Sequence, residues 1–153
     1  MQRKNKGFSL IELLIVVAII LIIAAIAIPN LLRSRIAANE ASAVGSLRTI
    51  NTASVTYSTA CGGFAPTLLA LGPPLAACAT ADLIDSVLAA GTKSGYIFTY
   101  TPGAAVAGVI PTYAVNADPV TPGTTGQRHF FSDQSGVVRA DPAAAATVAS
   151  TPI

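Results

Sequence analysis

The chain has 153 residues, of which 52% are hydrophobic and only 10% are charged, whereas about 25% of the residues in an average soluble domain are charged. A chain of this length can bury one modest globular core, so the apolar excess requires a second apolar environment. The formal net charge falls from +2 to −1 without the cations Arg3, Lys4 and Lys6 near the start. The net positive charge therefore comes from the first few residues and not from a basic surface elsewhere in the chain. For this reason nucleic acid is not expected as a partner.

An uninterrupted apolar segment follows the basic start. Residues 13–28 contain no polar side chain, and a helix over residues 8–28 is about 31 Å long. That length is enough to cross the hydrocarbon core of a bilayer. We therefore predict a transmembrane helix over residues 8–28, with the short basic tail on the cytoplasmic side.

Glu12 is the one ionisable residue in this apolar segment. A carboxylate that faces lipid costs roughly 2.5–3.5 kcal/mol on insertion scales. Either the side chain lies shallow enough to reach the headgroups, or it pairs with a cation at the same depth. Cleavage between Gly7 and Phe8 creates such a cation, because the new α-amino group lies one helical turn from Glu12 or beside Glu12 of a neighbouring chain.

The residues around Glu12 carry a family resemblance. The sequence from Lys6 to Val17, KGFSLIELLIVV, is followed by apolar residues up to Pro29. It closely resembles the N-terminus of type IV pilins and pseudopilins, and the resemblance covers the first third of the chain. It implies that residues 1–7 are a leader, which a prepilin peptidase removes after Gly7, and that Phe8 is then N-methylated.

The same resemblance implies how the chain assembles. Glu12 is expected to pair with the Phe8 amine of an adjacent subunit, so that the chain forms a homopolymeric helical filament. Before assembly the lipid bilayer of the inner membrane holds the precursor. An inner-membrane assembly platform and an assembly ATPase are expected partners, because the chain has no glycine-rich phosphate-binding loop with a lysine.

Two kinds of filament fit this N-terminus. One is an extracellular type IV pilus, and the other is the periplasm-spanning pseudopilus of a type II secretion system, and the sequence barely separates them. An ordinary secretory signal cleaved after Ala25-Ile26-Ala27 is an alternative that releases a soluble binding protein. An uncleaved single-span anchor is another. Neither accounts for both Glu12 and the Gly7-Phe8 junction.

The helix is predicted to continue beyond the membrane segment. Pro29 lacks an amide hydrogen and should kink the helix, which we expect to extend as an amphipathic stalk over residues 29–58. Its apolar face has helical spacing, and its charged and amide side chains fall largely elsewhere. The apolar residues are Leu32, Ile36, Ala43, Leu47, Ile50 and Tyr57, and the polar ones are Arg33, Arg35, Asn39, Glu40 and Arg48.

Residues 59–140 are predicted to form a small globular head. Cys61 and Cys78 flank a loop rich in glycine and proline, and a disulfide between them is expected in an oxidising compartment. Asp82 to Leu88 has the pattern of a short helix. Four segments of strand-like composition and alternation, two of them joined by the turn 133–136, predict an antiparallel sheet packed on the stalk helix, which is an α+β fold. These segments are 96–100, 113–117, 128–132 and 137–140.

Nothing in the head predicts an enzyme. Asp82 and Asp85 are better explained as helix-capping residues than as an acid and base pair. His129 is the only histidine and has no second ligand at metal-binding spacing, so no metal or other cofactor is predicted. The aromatic residues Tyr96, Phe98 and Tyr100 are expected to pack against the helix as part of the core. Residues 141–153 are mostly small or polar and are predicted to form a flexible tail.

Overall fold

The computed structural model describes residues 8–73 and 82–153. The chain divides after Ser34 into two compact units, and from here on the head is the second unit, Arg35–Ile153, which includes the part of the long N-terminal helix that follows Ser34. Gly7 and Cys78 both lie outside the described residues. Cleavage after Gly7 and the disulfide between Cys61 and Cys78 therefore stay predictions.

Helix α1 comprises Leu10–Cys61 and contains Pro29 in its interior. The helix thus continues past Pro29, as predicted. A single proline removes only one donor from the many backbone hydrogen bonds of a long helix. The kink at Pro29 stays a prediction. Helix α1 ends at Cys61. The next residue, Gly62, has a positive φ of 75°, a backbone conformation that glycine adopts more easily than other residues.

Six strands form one sheet, and each strand pairs antiparallel with the next strand along the chain. The predicted α+β fold is confirmed. Two short strands, the first and the last, were not predicted. The strands are β1 (Thr92–Lys93), β2 (Tyr96–Pro102), β3 (Tyr113–Pro119), β4 (His129–Asp133), β5 (Arg139–Asp141) and β6 (Thr151–Pro152).

The core of the second unit lies between α1 and one face of this sheet. Phe98, Ala117, Phe130 and Ala140 are consecutive partners across β2 to β5, and all four are buried. Because successive residues of a strand point to opposite faces, this row defines the inner face of the sheet. Helix α1 contributes buried Ala43, Leu47, Ile50 and Tyr57 from the predicted apolar face.

Two details of the stalk and head differ from the sequence prediction. Leu32 is 41% exposed, so the buried part of the apolar face begins later than predicted. The short helix α2 comprises Ser86–Ala89 rather than Asp82 to Leu88. Its N-cap is Asp85, whose Oδ1 accepts the Leu88 N–H at 3.0 Å, and this cap fixes the start of the helix.

The segment after β5 also differs from the predicted flexible tail. Residues 142–150, which we call the C-terminal strap, lead into β6, and β6 pairs with β5. Ala146 of the strap is 1% exposed, and its carbonyl accepts the Asn116 Nδ2–H at 2.8 Å. Asp141 Oδ1 accepts the N–H groups of Ala143 and Ala144. Side chains of the sheet therefore hold a segment that is too poor in large apolar residues to bury itself.

Candidate assembly segment

The apolar part of α1 is the candidate assembly segment. Within the described ranges, one helix is long and apolar enough to cross a membrane, and none of its apolar window is buried against the chain itself. Side chains such as Leu10, Ile11, Ile22 and Ile26 are each more than 60% exposed. An apolar surface of this length cannot remain in water without a large free-energy cost, so it needs lipid or another protein surface.

Glu12 caps the first turn of this helix. Its Oε2 accepts the Ser9 N–H at 2.9 Å, and the Leu13 N–H donates to the Ser9 carbonyl at 3.2 Å. Ser9 is thus the N-cap residue and Glu12 the third helical residue, which is the spacing of a capping box. The first N–H groups of a helix have no partner within the helix, so the Glu12 carboxylate satisfies one of them. The Ser-x-x-Glu pattern was visible in the sequence, but we did not predict this role.

The capping contact leaves Glu12 able to bind a second donor. No donor among the described residues bonds Oε1 of Glu12. Phe8 lies four residues before Glu12 and is 77% exposed. Of the predicted site residues, Phe8 and Glu12 are thus brought to the start of the same helix. A carboxylate at a helix start also interacts favourably with the helix dipole.

Glu40 carries a second carboxylate of α1, and this one binds residues of the head. Glu40 is 7% exposed. Its Oε1 accepts the N–H groups of Gln127 and Arg128 at 3.0 and 3.1 Å, and its Oε2 accepts the Arg128 Nε–H at 2.8 Å. Burial raises the pKa of Glu40, but the bonds from the Gln127 N–H and from the backbone and guanidinium of Arg128 outweigh burial and hold the pKa below 4.5.

The neighbouring residue on α1 reinforces this contact. Asn39 Nδ2 donates to the Thr125 carbonyl at 2.8 Å, so Asn39 and Glu40 together bind the loop that precedes β4. The Tyr96 hydroxyl donates to the Arg128 carbonyl at 2.9 Å from the sheet side. From the sequence, Asn39 and Glu40 were expected to lie off the apolar face, with no partner assigned. Both in fact hold the loop to the helix.

Two other polar residues considered from the sequence, His129 and Asp85, lie in ordinary structural contacts. His129 Nδ1 lies 2.6 Å from Asp118 Oδ1. Asp85 binds Lys93 Nζ at 2.8 Å in addition to capping α2. No group of three histidine, cysteine or acidic residues suited to hold a metal ion occurs in the part of the chain that the structure describes.

Comparisons with known proteins agree with the resemblance seen in the sequence. Residues 2–28 match the family described as the prokaryotic N-terminal methylation motif. The chain is 66% identical over 39 residues to the type IV wide pilus major component PilA4 of Thermus thermophilus, a stretch that covers 26% of this chain and 30% of the relative. It is 46% identical over 54 residues to the type IV major pilin protein PilA of Myxococcus xanthus, covering 35% of this chain and 24% of the relative.

These matches span less than a third of either curated relative. No solved structure matches the chain significantly. The matched motif and the exposed apolar helix concern the same N-terminal part of the molecule. The chain therefore carries the N-terminal methylation motif, and its N-terminal segment is similar to those of type IV pilins.

Proposed function

We propose that this chain is the structural subunit of a type IV pilus. In this account the precursor is held in the inner membrane by residues 8–28, a prepilin peptidase cleaves after Gly7, and the new N-terminus at Phe8 is N-methylated. The subunit then leaves the membrane and joins an extracellular homopolymer with the help of an assembly platform and an ATPase. The chain acts by assembly and not by catalysis.

The observation that carries this proposal is the apolar helix with a carboxylate at its start. A helix exposed along its whole apolar segment needs lipid before assembly and the helices of other copies afterwards. Burying Glu12 in such a bundle without a cation costs several kcal/mol. The α-amino group of Phe8 in a neighbouring copy supplies the cation. The capping contact uses only Oε2, so Glu12 can keep its own helix start capped while Oε1 binds that amine.

Substitution of Glu12 tests the charge pairing separately from the capping contact. Glu12→Gln keeps an oxygen that can accept the Ser9 N–H but removes the charge, whereas Glu12→Ala removes both. Cells that produce either variant in place of the native chain should contain cleaved, membrane-bound protein and no surface filaments of it. Asp133→Asn, which removes a carboxylate from the head, is the matched control and should leave filaments unchanged.

Filament yield is measured by shearing the cell surface and quantifying the chain in the sheared fraction. Normal filaments built only from Glu12→Gln would refute the pairing of Glu12 with an amine. A native chain that is cleaved but never forms surface filaments would instead favour the pseudopilin of a type II secretion system. Protein free in the medium as a monomer would favour a soluble secreted binding protein.

A further inference from the structure

The exposed side of α1 in the head has an unusual composition. From residue 37 to residue 60, Arg48 is the only exposed residue that carries a charge. A helix side that faces water normally carries many charged residues. The other exposed positions are small or β-branched: Ala37, Ala38, Ala41, Gly45, Thr49, Thr52, Val55, Thr56, Thr59 and Ala60.

The threonine hydroxyls on this side are turned back to the helix. Those of Thr49, Thr52 and Thr56 donate to the carbonyls of Gly45, Arg48 and Thr52 at 3.0, 3.1 and 2.9 Å. Because each hydroxyl is bonded to its own helix, the threonine methyl groups form part of the outer surface. We call the set Ala41, Gly45, Arg48, Thr49, Thr52 and Thr56 the Arg48 face.

Among the described residues, Arg48 has no ionic partner. Across the described ranges, no carboxylate oxygen lies within 4.0 Å of its guanidinium, since the ion pairs there join other residues. The nearest candidate on the same helix, Glu40, is buried and bound to Arg128. The charge of Arg48 is thus unpaired on a surface that is otherwise uncharged.

One carboxylate of the head is unpaired in the same way. Asp82 is exposed, and none of the hydrogen bonds or ion pairs of the described head residues involves its side chain. The other exposed or half-buried aspartates each have a partner. Asp85 binds Lys93, Asp118 contacts His129, Asp133 accepts the Ser135 N–H, and Asp141 accepts the N–H groups of Ala143 and Ala144.

We propose that the Arg48 face packs against the head of a second copy of this chain and that Arg48 pairs with Asp82 of that copy. The inference rests on the proposed function and names one contact of the polymer outside the apolar segment. Two considerations select a second copy. The charges of Arg48 and Asp82 are complementary, and the small side chains around Arg48 permit close approach. A contact between two different surfaces of identical chains repeats from copy to copy and forms an open helical filament when it does not close into a ring.

Exchange of the two charges tests this contact. Cells that produce Arg48→Asp or Asp82→Arg in place of the native chain should lose at least about tenfold of their sheared surface filaments, because like charges across an interface are strongly unfavourable. The double variant, Arg48→Asp with Asp82→Arg, should restore filaments to near the native amount. The matched control combines Arg48→Asp with Gln134→Arg. This second substitution adds a cation to an exposed turn elsewhere on the head, and it should not restore the filaments.

Circular dichroism and N-terminal mass spectrometry of each variant establish that the head is folded and the leader is removed. Native filament yields in both single variants would overturn the contact while leaving the pilus function intact. Folded single variants that fail to assemble, together with a double variant that also fails, would overturn the pairing of Arg48 with Asp82. Absence of filaments in cells with the native chain would overturn the pilus function itself, and the proposed contact with it.

Discussion

Glu40 shows how one side chain of α1 fixes the position of a distant loop. Its carboxylate accepts two backbone N–H groups and the Arg128 guanidinium, which leaves few unused acceptor positions on a nearly buried anion. Hydrogen bonds to a charged group contribute about 1.5–3 kcal/mol each at most. The cost of burying the charge reduces the net effect.

We expect Glu40→Gln to destabilise the head by about 1–3 kcal/mol. The glutamine Oε1 can still accept the N–H groups of Gln127 and Arg128, but its NH₂ then faces the Arg128 Nε–H, so a donor opposes a donor. The free energy of unfolding is measured by urea denaturation of the unassembled chain in detergent. Arg48→Gln is the matched control because Arg48 is exposed on the same helix, and its effect should stay within about 0.5 kcal/mol. Equal stability of Glu40→Gln and the native chain would contradict the role of Glu40.

The same carboxylate predicts how stability depends on pH. The pKa of Glu40 is lower in the folded chain than its ordinary value of 4.5, so the unfolded state binds its proton at a higher pH than the folded state does. The contribution of Glu40 is therefore complete above about pH 4.5 and is lost as the pH falls through the lowered pKa. Unfolding curves recorded down to about pH 3 should show a smaller acid dependence for Glu40→Gln than for the native chain. Identical acid dependence in the two proteins would refute this assignment.

Single residues differ in how well the sequence indicates their role. Gly7, Phe8 and Glu12 could be proposed because the family pattern is local and continuous. Glu40 could not, because its acceptor atoms bind residues 87 and 88 positions later in the chain, and no local pattern predicts that contact. The capping contact of Glu12 with Ser9 was within reach of local rules, since both residues lie in one helical turn.

Among the secondary-structure elements, the sheet could be predicted where its strands are long. Strands β2 and β3 have seven residues each, and the alternation of large and small or polar side chains is visible over that length. Strands β1 and β6 have two residues each, which is too short for an alternating pattern. The C-terminal strap was predicted to be flexible because its own composition is weakly apolar. It is held by Asn116, which belongs to another element.

Two glycines of the head should respond in opposite directions to the same substitution. A Cβ on buried Gly126 would overlap the Tyr96 ring and hydroxyl, whereas a Cβ on Gly45 in α1 would contact nothing within 4 Å. We expect Gly126→Ala to cost about 1–3 kcal/mol through overpacking. We expect Gly45→Ala to stabilise the unassembled chain by about 0.5–1 kcal/mol, because alanine loses less backbone entropy in a helix.

Urea denaturation of both glycine variants in detergent provides the measurement, and each variant is the control for the other. A destabilised Gly45→Ala together with a native-like Gly126→Ala would contradict the described packing. Both positions lie in the unit that follows Ser34. The measured changes in unfolding free energy therefore report on the head and not on the apolar segment.

Considered as a whole, the molecule combines one exposed apolar helix segment with a head that has its own buried core. The apolar segment needs an apolar environment, whereas the head buries apolar residues of its own. The α+β organisation followed from the sequence because the apolar run, the helical spacing and the strand alternation are each strong local signals. The exposed Arg48 face did not, because its significance depends on which surfaces the folded chain leaves uncovered.

The most direct test of the pilus function is intact and N-terminal mass spectrometry of filaments sheared from native cells. We expect the filaments to consist mainly of this chain, with N-methylated Phe8 as its first residue. Absence of filaments, together with a chain that begins at Met1 or at Ile28, would contradict the pilus function. A chain that begins at Met1 indicates an uncleaved anchor, and one that begins at Ile28 indicates an ordinary secreted protein.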